Sequence, residues 1–186
     1  MKKTLVVLVS ALTLCLSVAR SESAKTTYHN ESQRTWASID GELQVLFEKE
    51  SELREKMKKA LDDFHEEYKR GETGNCLHQL AQALRESAAN DLRINYLFQL
   101  AVRRACKSPV AQNNKELLVK LGGILDKLQE ARALLNEAVS SLESFPNKGG
   151  NFDQLRLTAL RVGIGVREST EAMSEFKDVA RKLAEQ

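Results

Sequence analysis

The residues of greatest chemical reach in this chain are Cys76 and Cys106, two thiols thirty positions apart. In an exported protein an even pair of cysteines is expected to close one disulfide. A third, Cys15, lies in an apolar N-terminal run and follows bulky Leu14. A lipidation peptidase requires a small residue there, so Cys15 reads as filler in a segment to be removed.

Other candidate chemistry is sparse. His29, His65 and His78 are scattered, and Cys76 with His78 offers two soft ligands but nothing nearby to complete a zinc site. Asp62-Asp63 and Glu66-Glu67 resemble paired carboxylates, yet a solvated helix face lacks the cleft that would shift their pKa values. No serine or cysteine occupies a strained nucleophile turn, and no phosphate loop or dinucleotide fingerprint is present. The expectation is no catalytic residue, no metal and no cofactor. Two surface features remain. Asn30-Glu31-Ser32 matches a glycosylation acceptor. Arg103, Arg104 and Lys107 form a small basic cluster beside Cys106, a candidate contact for an acidic partner, without interleaved aromatics to stack nucleic-acid bases.

The elements that must position these residues are helices. Apolar residues recur at alternating three- and four-residue steps in four stretches, with little Gly or Pro between the breaks. The first, about Gln33 to Arg70, has a seam of Trp36, Ile39, Leu43, Leu46, Leu53, Met57, Ala60 and Phe64. Glu50 falls on that seam, where it is expected to reach solvent or pair with Arg54, and Trp36 is expected in the core. Gly71 to Asn75 break the chain. The second stretch, Asn75 to Lys107, carries Leu77, Leu80, Leu84, Ile94, Phe98, Ala101 and Ala105, with polar Ser87 and Asp91 on the seam.

Pro109 precedes a third helix, Val110 to Phe145, whose wide apolar face suits a bundle core. Gly122-Gly123 within it predicts a close backbone approach or a bend. The turn at Pro146 to Asn151 leads to the fourth helix, which ends near Ala184 and runs through Phe152, Leu155, Ala159, Val162, Val166, Met173, Phe176, Ala180 and Leu183. Ser169 is its one off-pattern seam residue, and Gly163 and Gly165 loosen its middle. Short joints between long helices force neighbours antiparallel. The fold class expected is all-α: an antiparallel bundle of long helices.

The cysteines test the second stretch. As one straight helix it would hold them about 45 Å apart at 1.5 Å per residue, while a disulfide tolerates about 7 Å between Cα atoms. If the chain instead turns back at Asn90-Asp91, two short helices form a hairpin and the sulfurs meet at its open end. Closing that loop would add about 3–4 kcal/mol by the chain-entropy model. The architecture is then three long helices plus a disulfide-closed hairpin. A straight helix gives four long helices with free or intermolecular cysteines, and the unshifted register through the polar stretch favours it.

Compartment follows from the first 21 residues: Lys2 and Lys3, a greasy run from Leu5 to Val18, then small residues around Ala19 and Ser21. This is the plan of a secretory signal, and the run is shorter than the about 20 residues of a membrane anchor. Residues 22–32 are expected to be a flexible segment, and 33–186 a single helical domain. The whole chain has 28 basic and 26 acidic residues, formally +2. Losing Lys2, Lys3 and Arg20 would leave it one charge negative, with no field to draw it to nucleic acid.

Export, helices and missing catalytic chemistry predict a secreted binding protein that acts, as an inhibitor for example, by contact with an extracellular protein. Two alternatives stay open. One is an exchangeable lipid-binding bundle of the apolipoprotein type, and the other is a self-associating coiled-coil structural protein.

Overall fold

The computed structural model describes residues 35–71, 74–145 and 151–184. The signal segment with Cys15, the 22–32 segment, His29, Asn30 and the turn residues 146–150 lie outside the described residues. The described residues are all-helical, and the helices pack on one another. In chain order they are α1 (Trp36–Arg70), α2 (Gly74–Cys106), the single turn α3 (Pro109–Gln112), α4 (Lys115–Glu143) and α5 (Phe152–Ala184).

Local signals explain most boundaries. Thr35 Oγ1 accepts the Ser38 amide at 3.2 Å at the start of α1. Gly71, with φ at +77°, ends that helix in the left-handed region that side chains avoid. The third predicted helix is corrected to two pieces. Ser108 caps α3, with Pro109 at its first position and its Oγ accepting from Ala111. The chain then breaks at Asn113, and Asn114 Oδ1 accepts the Leu117 amide at 3.0 Å to begin α4. Asn151 performs the same service for α5 through the Asp153 amide.

Contacts fix the directions. α1 lies lengthwise against α2 alone, with Lys56 beside Glu86 and Asn90 beside Leu46, so the pair runs antiparallel. α2 and α4 are antiparallel too: the Gln99 amide donates to Leu128 O, and Arg132 sits 5.1 Å from the Tyr96 ring centroid. Lys127 meets Glu175 and Glu137 meets Arg161, which sets α4 against α5 in the same sense. At the far end of α1, Phe64 stacks on Phe152 with centroids 5.2 Å apart.

The core divides into two clusters. One gathers Ile39, Leu43, Ile94, Phe98, Leu121, Leu128, Ala172 and Phe176; the other gathers Phe64, Leu84, Leu135, Leu142, Leu155 and Val162. Trp36 is partly buried against the first cluster. A polar layer of Asn95, Gln99 and Ser169 is buried beside the first cluster, and Ser87 is buried beside the second.

That layer corrects the hairpin expectation. α2 continues from Gly74 to Cys106 through Ser87, Asn90 and Asp91, and no disulfide joins Cys76 to Cys106. The helix is unbroken at Asn90-Asp91, and one turn further on Asn95 and Gln99 find partners across the core. Asn95 Nδ2 donates to Ser169 Oγ at 2.9 Å, and Gln99 Nε2 donates to Asn95 Oδ1 at 2.8 Å. Ser169 is thus the counterpart of the polar stretch in α2.

The glycines also differ from expectation. A Cβ at Gly122 or Gly123 would meet nothing within 4 Å, so no backbone approaches there. The close approach is at Gly165, where a Cβ would meet Leu135 Cγ at 3.0 Å and Ala131 O at 3.2 Å.

Candidate interaction face

α5 is amphipathic twice over. Its inner stripe buries Leu155, Val162, Ala172, Phe176 and Val179. A second stripe, turned outward, has Leu157 at 56%, Leu160 at 59% and Ile164 at 41% exposure. Spacings of three and four residues place these three on one face, one turn above another. The inner residues are held by α4, and among the described residues no neighbour covers the outer ones.

A shallow groove of about 350 Å³ runs along this face, lined by Arg156, Ala159, Leu160, Gly163, Ile164 and Arg167. Gly163 opens it, since a Cβ there would meet nothing within 4 Å. Charges edge the stripe. Arg156 lies 4.0 Å from Asp153, Arg167 lies 3.9 Å from Glu171, and Arg161 reaches Glu137 on α4 at 3.0 Å. All are solvent-exposed pairs and contribute little to stability. The arrangement is an apolar strip with a mixed-charge border, the anatomy of a protein contact surface. The sequence holds a readable sign of it, a second three-four series offset from the seam.

The residues singled out from the sequence are not brought together. Arg104 lies over the Trp36 ring at 5.8 Å, while Lys107 is exposed past the end of α2 and Arg103 is half-buried. Cys106 shares that end of the helix, half-buried, and burial pushes its thiol pKa up. Cys76 is buried at the opposite end, where desolvation first, and then its hydrogen bond to the Glu67 carboxylate, also raise the thiol. Both thiols therefore stay protonated near neutral pH and make poor nucleophiles. His65 is exposed, and Nδ1 of half-buried His78 is buried without a hydrogen-bond partner.

Asp62, Asp63 and Glu66 are exposed, and Lys69 beside Glu66 lowers that carboxyl's pKa. Among the described residues no helix is long and apolar enough to cross a membrane, and no three acidic, His or Cys side chains gather as a metal site. Glu50 takes the second of its two expected courses. It pairs with Arg54 at 3.1 Å, but its side chain is only 12% exposed and points into the α1–α2 interface rather than to solvent.

Compared with known proteins, the chain matches no family model, no curated protein and no solved structure.

Proposed function

We propose that this chain is an exported, non-catalytic binding protein whose α5 outer face receives an extracellular protein partner, with inhibition of that partner as one consequence. The supporting observation is the uncovered Leu157-Leu160-Ile164 stripe beside its groove. Water contact with three adjacent large apolar side chains is unfavourable, and burying them would return about 1.5–3 kcal/mol each at full burial. In this reading the helices close into an antiparallel bundle that serves as a rigid platform, and the ends of α2 are secondary.

A protein partner fits the border better than lipid does. Asp153, Glu168 and Glu171 share the α5 surface with the arginines. A helix that binds an anionic bilayer carries a polar face dominated by Lys and Arg.

The test is affinity capture from the medium of producing cells, using the wild-type chain and a Leu157→Glu/Leu160→Glu/Ile164→Glu variant. A protein retained by the first and lost by the second supports the proposal. Recovery of lipid alone, with clearing of vesicle turbidity, would replace it by the lipid-carrier reading. A Cys106-linked dimer on non-reducing gels, with no other partner, would replace it by self-association.

A further inference from the structure

The α1–α2 interface holds two carboxylates and a buried amide where hydrophobic residues would be expected. Glu50 of α1 accepts Arg54 Nε on one oxygen and Asn90 Nδ2 on the other, each at 3.1 Å. The same Asn90 amide donates to the Leu46 carbonyl at 3.1 Å, so one side chain of α2 holds two groups of α1. Asn90 is 3% exposed, and its Oδ1 is buried with no donor. Asp91 follows it, half-buried and facing Glu50. The cluster thus has two acidic groups and an orphan acceptor against one cation, Arg54, whose side chain is 70% exposed.

We infer that Glu50, Asn90 and Asp91 form a pH-sensitive latch that holds α1 on α2 when Asp91 is protonated and loosens α1 when it ionises.

Three features carry the argument. Among the described residues α1 is the helix best placed to move, because it lies lengthwise on α2 alone and touches α5 through the Phe64–Phe152 stack at one end. The latch sits near mid-helix, between the Arg104–Trp36 contact at one end of the α1–α2 pair and the Cys76–Glu67 hydrogen bond at the other, with the exposed Lys56–Glu86 pair beside it. A proton on Asp91 removes one of two facing negative charges from the half-buried interface.

Burial, then the Glu50 charge, push Asp91 up to about 7, with Arg54 pulling the other way, and no charged group of α4 or α5 acts on it. The folded-state value is raised, so the stabilisation is complete at acid pH and is lost as pH rises through neutrality. Acidic surroundings therefore close the latch, and neutral or alkaline ones release α1 and uncover the α2 face beneath it.

Two readouts follow α1 in the full chain. Trp36, the only tryptophan, lies at its first residue and reports docking by acrylamide quenching. Backbone hydrogen exchange, corrected for intrinsic rates, reports each helix separately. At about pH 8 against about pH 5.5, α1 amides of the wild type should exchange about tenfold faster or more, one decade for each pKa unit engaged. Trp36 quenching should rise in parallel, while α4 and α5 stay unchanged. Asp91→Asn should abolish the response, and the surface control Asp62→Asn should keep it. If Asp91→Asn does not fold, Glu50→Gln should shrink the response by removing the opposing charge. Equal protection at both pH values, loosening of all helices together, or a full response in the neutral variants would overturn the inference.

Discussion

Asn95 on α2 and Ser169 on α5 meet 2.9 Å apart, both buried, and Ser169 is the polar exception in the apolar seam of its helix. The pair fixes the relative register of two helices that share no joint. With Gln99, which also reaches the Leu128 carbonyl, it ties α2, α4 and α5 at one level. Asn95→Ala takes from the Gln99 amide one of its two acceptors and from the Ser169 hydroxyl its donor, in a buried site, at a cost of about 1–3 kcal/mol. Urea unfolding should show that loss, and Asn95→Leu with Ser169→Ala should recover part of it by removing both partners.

The two glycines at the middle of α5 predict opposite outcomes. Gly165→Ala drives a methyl group to 3.0 Å from Leu135 Cγ and 3.2 Å from the Ala131 carbonyl, whose backbone cannot retreat cheaply. It should destabilise by about 1–3 kcal/mol. Gly163→Ala meets open space and gains about 1 kcal/mol of helix propensity. Thermal unfolding of the two variants should therefore move in opposite directions.

Most of the helical framework was legible because apolar periodicity is a local signal. Along the seams of α1 and α5, Ile39, Leu43, Leu53, Phe64, Leu155, Val162, Phe176 and Ala180 are buried as their spacing indicates, whereas Phe152, at the first turn of α5, is 45% exposed. What spacing could not convey was who faces whom. Ser87 and Asp91 look like turn residues, yet both lie within an unbroken helix, Ser87 buried in the packing and Asp91 against Glu50 of α1. The Asn113-Asn114 break carries a cap signal, but a longer apolar pattern runs across it and hides it. The outer α5 stripe, too, was present in the spacing, but it becomes a candidate site only once α4 is known to cover the other face.

Global stability should follow the same sign as the latch. Asp91 binds a proton more tightly in the folded chain, up to about 7 against an ordinary 3.8, so stability falls as pH rises across that interval and then levels. Urea midpoints measured between those limits should decline with pH in the wild type and lie flatter in Asp91→Asn.

The cysteines should be thermodynamically quiet. No disulfide joins Cys76 to Cys106, so a reducing agent should leave the unfolding midpoint of the monomer unchanged. Thiol reagents should reach Cys76 only on unfolding, since it is buried, and half-buried Cys106 earlier. A midpoint that drops on reduction would show a bridge and return the hairpin topology.

Site-specific photocrosslinking puts the proposed binding face to the most direct trial. A photoreactive residue at Leu160, centred on the α5 stripe, is compared with one at Val119, an exposed apolar position on α4. In medium containing the partner, position 160 should yield a discrete protein adduct and position 119 none. An adduct at 119 with none at 160, or no adduct at either under conditions where the partner is captured, would contradict the assignment of α5 as the contact surface.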